Sequence, residues 1–178
     1  MSSASEKQGQ APIVTSPRET GAEEAADLVR SLGATALFKG IHRPGLQKIA
    51  AIACEEAYPS GELIFREGEP GEKLYFILEG KIRISRNVSG MGEEALAVLN
   101  SGDAFGEMSI IDDVARSADA RVHESCRMLV VTREAMEDLM FLHKDLAYEI
   151  LWNFVRILSE RLRETNDKMT FLSVTGKF

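Results

Sequence analysis

The hydrophobic period of this chain changes twice, and this constrains its architecture more than any other feature. Up to about residue 57 the apolar residues recur at helical spacing. Residues 23–32 predict a first helix ending near Gly33. Leu46, Ile49, Ala50 and Ala53 predict a second, with Pro44-Gly45 near its start. From Tyr58 short apolar runs alternate with glycine-rich turns. Leu63-Ile64-Phe65 precedes Gly68-Glu69-Pro70-Gly71, and Leu74-Tyr75-Phe76-Ile77-Leu78 precedes Glu79-Gly80. Lys81-Ile82-Arg83-Ile84-Ser85 alternates strictly before Ser89-Gly90-Met91-Gly92. Residues 95–99, 118–122 and 128–131 continue the series, with a turn at Asn100-Ser101-Gly102-Asp103. Short strands at such intervals predict a small barrel or jelly roll. At Thr132, a predicted N-cap, the helical period returns with Ala135, Met136, Leu139 and Met140. A long helix is then expected from about residue 145 to 172.

The expected class is therefore α+β, a double-stranded β-helix of the jelly-roll or cupin-like kind. N-terminal helices and a long C-terminal dimerisation helix flank it. Residues 1–24 contain Pro12 and Pro17 and no apolar periodicity, which predicts a disordered tail. Residues 25–143 form the β-roll with its flanking helices, residues 144–172 the coiled-coil helix, and residues 173–178 a hinge-like tail.

Composition excludes several classes. A net charge of -7 over 178 residues argues against a protein-wide DNA-binding surface. Two cysteines, Cys54 and Cys126, are too few for a disulfide framework or a four-cysteine cluster, and read as thiols of a reducing cytoplasm. No secretory signal opens the chain, and its most apolar stretch, residues 139–158, is broken by charges. His42, His123 and His143 have no metal-ligand spacing, and no nucleophile motif is present, so an enzyme is not expected.

The chemistry concentrates between Phe105 and Ala118. Phe105-Gly106-Glu107 follows a tight turn and starts a short helical turn, whose first N–H groups lack intrahelical acceptors. Gly106 allows close backbone approach, as phosphate binding requires. Arg116, nine residues after Glu107, supplies a cationic fork and Ser117 a hydroxyl. Glu107 is unsuited to a phosphate but suited to accepting a hydrogen bond from a sugar hydroxyl.

Phe105-Gly106-Glu107-Met108-Ser109 with Arg116-Ser117-Ala118 resembles the phosphate-binding cassette of the cyclic-nucleotide-binding domain. That domain belongs to the catabolite activator (CRP/FNR) superfamily and occurs also in protein kinase regulatory subunits and cyclic-nucleotide-gated channels. Gly61, Gly68, Gly71, Gly80 and Gly102 fit the same pattern, and the likeness runs from about residue 37 to the end. The resemblance implies that Glu107 holds the ribose 2′-hydroxyl. Arg116 pairs with the cyclic phosphate, Ser117 lies beside it, and the N–H groups of Gly106, Met108 and Ser109 complete the cradle. Ile84, Leu96 and Leu99 fall where the family lines its base pocket; they also read as plain barrel core. Asp112 and Asp113, inside the cassette loop, are expected to point to solvent.

The last helix carries Leu151, Val155, Leu158, Leu162, Thr165, Met169 and Leu172 at spacings of 4, 3, 4, 3, 4 and 3, a heptad seam that predicts a homodimer. A single amphipathic helix packed on its own barrel is the alternative. Thr165 is polar within that seam. The resemblance matches Thr165-Asn166 to a pair that meets an adenine amino group at the dimer axis; otherwise Thr165 bonds back to its own helix. Arg161, one turn earlier, can approach Glu107 or the nucleotide. The expected ligand is cAMP, with cGMP possible. No recognition helix follows the seam, so the expectation is no direct DNA binding, no membrane contact, and signalling to a protein partner. Two alternatives remain: a nucleotide-independent dimeric scaffold, or the sensor half of a transcription regulator.

Overall fold

The structure, a computed structural model, describes residues 13–15, 22–90 and 92–175. Strands β1 (Ile13–Thr15), β2 (Cys54–Tyr58), β3 (Leu63–Phe65), β4 (Lys73–Val88), β5 (Gly92–Leu99), β6 (Ala104–Phe105) and β7 (Asp119–Thr132) form one antiparallel sheet. Its order is β1-β2-β7-β4-β5, with β3 also on β7 and β6 also on β4. Helices α1 (Ala22–Ala34) and α2 (Arg43–Ile52) precede the main strands, joined through a 3-10 turn at Ala36–Phe38. Helix α3 (Met108–Asp112) interrupts the strands, and α4 (Arg133–Leu142) and α5 (Lys144–Thr175) follow them. This is the helices, jelly-roll, helices order read from the two changes of period.

Two cores lie on opposite faces of the same strands. Successive residues of a strand point to opposite sides. On β4, Leu74 and Phe76 face the helices, where they meet Leu37, Phe38, Ile49, Leu129 and Ile150. Tyr75 and Ile77 face the roll interior with Ile82, Phe105, Met128 and Val130. A strand buried on both faces reads as a continuous apolar run, which is why Leu74–Leu78 does not alternate.

The strands differ from the expected ones in three ways. The runs 74–78 and 81–85 are one strand, β4, and the runs 118–122 and 128–131, Ala118 aside, lie in one strand, β7. Register shifts between Ile77 and Ile82 carry the pairing through a bend. Gly80 stands there at φ 91°, and a Cβ on it would lie 2.6 Å from Cys126 Sγ. Strand β2 lies upstream of Tyr58, hidden by its polar sequence, because Glu56 is buried with Tyr58 and Lys73 as partners. Strand β1 lies within the stretch expected to be disordered, pairing Ile13, Val14 and Thr15 with Ala57, Glu56 and Glu55. An open β2 edge offers unpaired backbone groups, and β1 satisfies them. Residues 1–12 and 16–21 of that stretch, and Met91 of the expected turn, are outside the described residues. Helix α5 also continues through residues 173–175, where a hinge-like tail is expected; residues 176–178 are outside the described residues.

Thr132 caps α4 as expected, accepting from Ala135 N at 3.2 Å. Helix α5 is anchored through its first third. Leu146, Ala147, Ile150 and Phe154 are buried. Buried Asn153 donates through Nδ2 to Leu37 O at 2.8 Å and Lys39 O at 3.1 Å. No helix among the described residues is long and apolar enough to cross a membrane.

Two expectations follow from the packing. Asn153→Ala leaves two carbonyls of the 3-10 turn without that donor and should destabilise the fold by about 1–3 kcal/mol, read as a lower urea midpoint at unchanged slope. Burial pushes the Tyr75 phenol up to about 12, against the opposing pull of Arg116. A folded-state value above the unfolded value of about 10 means that stability is intact below pH 10 and lost as pH rises toward 12. That loss is on the order of 2 kcal/mol for this residue. Tyr75→Phe should lose correspondingly less in denaturant titrations at pH 9.5 and 11.5; parallel losses in both proteins contradict the assignment.

Candidate functional site

Strand β6 delivers the site. Phe105 pairs with Tyr75 and Ala104 with Phe76, and the chain leaves the sheet at Gly106 with φ 80°. A side chain at Gly106 is excluded sterically as well: its Cβ would lie 2.6 Å from Arg116 Nη1 and 3.0 Å from Lys73 O. Glu107 follows as the N-cap of α3, with no side-chain capping bond. Glu107 and Ser109 are buried and Met108 between them is exposed. Within the first turn of α3, the N–H groups of Met108 and Ser109 precede the intrahelical ladder. Gly71 packs so closely on Ser109 that a Cβ on it would collide with the serine side chain.

Arg116 returns to the same point. Its backbone is stitched to the glycine-rich loop, with Arg116 N donating to Glu69 O and Gly68 N to Arg116 O, both at 2.9 Å. Arg116 is 4% exposed. Nη1 donates to Gly106 O and Nη2 to Lys73 O, each at 2.7 Å. Its Cζ lies 4.2 Å from the Phe65 ring centroid, a cation–π contact. Phe65, Tyr75 and Phe105 form one aromatic floor, with Tyr75 and Phe105 stacked at 4.9 Å. Burial pulls the Arg116 pKa down, while Tyr75, Glu107 and Glu69 pull it up. An arginine stays protonated under these conditions, so the site contains a buried cation. Its side-chain hydrogen bonds go to carbonyls, and Nε, also buried, has no partner among the described residues. A cyclic phosphodiester fits that arrangement, since it brings one negative charge and acceptor oxygens.

Glu107 is the second buried charge, and its partner comes from far away in sequence. Arg161 Nη1 on α5 pairs with its carboxylate, and Arg161 Nη2 donates to Ala104 O at 2.8 Å. Both ends of the cassette entrance are thus tied to α5.

The structure brings together Gly106, Glu107, Met108, Ser109, Arg116, Ser117 and Arg161. Ser117 is exposed beside Met108, its Oγ 3.9 Å from the Met108 sulfur. Ile84 and Leu99 are half-buried against the roll interior. Leu96 is half-exposed; β4 pairs Ile84 with Ala97 and Ser85 with Ala95, so Leu96 is the extra residue of a bulge. Thr165 and Asn166 are exposed, and Thr165 Oγ1 donates to Arg161 O at 2.8 Å, the back-bonding alternative. Asp112 and Asp113 are exposed as expected. Asp112 accepts from Val114 N, and Asp113 pairs with Arg133. The seam residues Leu151, Val155, Leu162 and Met169 are exposed, Leu158 is half-buried, and the Leu172 side chain is outside the described residues.

Four contributors escape a sequence reading. Lys73 acts through its carbonyl, and Phe65 and Tyr75 look like ordinary strand residues. Arg133 carries a faint signal: a cation in the first turn of a helix opposes the macrodipole and so asks for a reason. On α5, Tyr148 and Trp152 stack at 6.4 Å and 11°, an exposed aromatic pair beside the seam.

The chain is similar to known proteins. The sequence profile of the cyclic nucleotide-binding domain matches residues 55–143. A CRP-like cAMP-activated global transcriptional regulator of Mycobacterium tuberculosis is 29% identical over 144 residues, 81% of this chain and 62% of the relative. The Cyclic AMP receptor protein of Thermus thermophilus is 34% identical over 137 residues, 77% of this chain and 62% of the relative. This chain therefore spans less than two thirds of either relative. A solved cyclic nucleotide-binding domain from Methylobacillus flagellatus covers 83% of each chain with a TM-score of 0.74, and at 24% identity it speaks for the fold. The chain belongs to the cyclic nucleotide-binding domain family, within the CRP/FNR superfamily.

Proposed function

We propose that this chain is a non-enzymatic cAMP sensor that works as a homodimer and reports occupancy through α5 to a protein partner. The observation that carries the reading is the buried Arg116 guanidinium, held on carbonyls and a ring face beside a buried Glu107. In this reading the cyclic phosphate accepts from Arg116, from the N–H groups of Met108 and Ser109, and from Ser117 Oγ. The ribose 2′-hydroxyl donates to Glu107. Ile84, Leu99 and the bulged Leu96 line one side of the base. Glu107 is already paired with Arg161, so a sugar hydroxyl arriving there alters the tie that α5 makes to the roll. Binding shifts a population of helix arrangements by its difference in affinity for them.

The exposed stripe on α5 supports dimerisation. A soluble helix rarely leaves Leu151, Val155, Leu162 and Met169 open to water along one face. A second copy of α5 would cover them and bring Thr165 and Asn166 against an adenine amino group across the axis. The two relatives carry cAMP in their names, which supports cAMP as the ligand.

Calorimetry with the three nucleotides tests the ligand. cAMP should bind tightest, and Arg116→Ala should weaken it by about a hundredfold, as expected for losing charged hydrogen bonds to phosphate. Equal affinity in wild type and Arg116→Ala overturns the site assignment. No binding of any of the three leaves the nucleotide-independent scaffold as the better reading. Light scattering tests the seam: Leu162→Glu should convert a dimer to a monomer, and a wild-type monomer at all concentrations removes the seam from the mechanism.

A further inference from the structure

Helix α3 has five residues. Isolated helices shorter than about 12 residues are marginal in water, so something outside α3 must hold it. The Arg133 guanidinium spans it lengthwise. Nη2 donates to Ser109 O, and Nη1 pairs with Asp113, the residue that ends the helix. Arg133 N also donates to Glu72 O at 2.8 Å, fixing the base of the same side chain to the loop that carries Gly71. Its Nε is buried with no partner among the described residues. The fork is therefore committed to α3.

Asp113 bears the same mark. It has φ 57° and ψ 15°, and it is the only non-glycine with positive φ among the described residues. Helices commonly end in this left-handed conformation, and glycine is the residue that adopts it at least cost. Here an aspartate takes the position, and its carboxylate reaches Arg133. The cation also lies at the C-terminal end of α3, where the peptide dipoles favour it, although it heads α4, where they do not.

From this geometry we infer that Arg133, with Asp113, is a positioning residue for the phosphate cradle. It holds α3 so that the N–H groups of Met108 and Ser109 and the Glu107 carboxylate keep one orientation. It does so from the first residue of α4, so the cradle is joined to the C-terminal helices at a point separate from Arg161. The effect on ligand rests on the cAMP reading above; the effect on α3 does not.

The test uses the full chain. Amide exchange in ligand-free protein reads α3 directly, at Ile110 N and Ile111 N, which donate to Glu107 O. Arg133→Gln should speed exchange there by about tenfold, the loss expected for a charge-assisted hydrogen bond, and leave Leu129 and Val130 in β7 unchanged. Asp113→Asn tolerates the left-handed backbone and removes only the charge. Its effect should be smaller, about threefold, and should fade in 1 M salt because Asp113 is 81% exposed. In calorimetry, Arg133→Gln should weaken cAMP by about tenfold and reduce discrimination between the Sp and Rp phosphorothioates of cAMP, with partial recovery in Arg133→Lys. Unchanged α3 exchange in both variants overturns the clasp. Faster exchange with unchanged affinity and phosphorothioate preference limits it to α3 and overturns its role in the cradle. A wild type that binds no cAMP sinks the ligand reading while exchange still decides the clasp. Should Arg133→Gln fail to fold, Asp113→Asn, altered only at an exposed side chain, decides the clasp by its exchange and the cradle by its cAMP affinity, expected to weaken about threefold and to recover in 1 M salt.

Discussion

The rest of the site depends on one buried cation. Removing a guanidinium from water costs several kcal/mol unless its surroundings replace the lost hydration. Around Arg116 the replacement comes from three places in the chain, the carbonyls of Gly106 and Lys73 and the face of Phe65, while the backbone of the Gly68-Glu69 loop fixes its main chain. Each constrains its own element. Gly106 must be glycine because the guanidinium occupies the space of its Cβ. Strand β6 must pair with β4 for Gly106 O and Lys73 O to converge. The Phe65 ring beneath the guanidinium is held by packing against Tyr75 and Phe105, which stack on each other. The jelly roll can be viewed as the scaffold that brings these groups to one point.

Glu107 is handled differently. Its compensation is an ion pair with a residue of α5 rather than a set of backbone groups. Breaking a buried pair by removing one partner costs more than forming it gains, so the pairing binds the position of α5 to the state of Glu107. Two buried charges of opposite sign thus share one cassette, one anchored inside the roll and one anchored outside it. In the proposed reading the phosphate meets the group held by the roll and the ribose meets the group held by α5.

Much of this was legible in the sequence, and what was not has a common cause. The changes of period near Tyr58 and Thr132 are local, and they delimit the roll. The cassette is also local, with Glu107 and Arg116 nine residues apart. Arg116 to Lys73 spans 43 residues and Arg161 to Glu107 spans 54, and no periodicity reports such pairings. Strand β2 was hidden because the burial of Glu56 there depends on the Lys73 counter-charge and the Tyr58 hydroxyl, a tertiary fact. Gly80 misled in the opposite sense: it reads as a turn between strands, and in the fold it is a bend within one. The expected role of Thr165 concerns a second copy of the chain; within one copy its hydroxyl turns to its own helix.

The two halves of α5 explain why Arg161 matters beyond its charge. Through Phe154 one face of the helix is buried against the roll and the 3-10 turn. From Leu162 to Val174 the residues, Leu172 aside, are exposed. Arg161 is half-buried and stands at the boundary. A helix stretch without a packed face depends on partners for its stability, so the outer half of α5 takes its order from its own inner half or from another chain. The Arg161 fork, bonded to Glu107 and Ala104 O, sets the direction in which that outer half leaves the roll. A small displacement at Glu107 acts near the base of a lever about a dozen residues long, where at about 1.5 Å rise per residue a few degrees of tilt become a displacement of ångströms at the far end. Of the proposed seam, Leu162, Thr165 and Met169 lie on that lever, so in the proposed reading a shift at Glu107 is carried to the outer part of the exposed stripe.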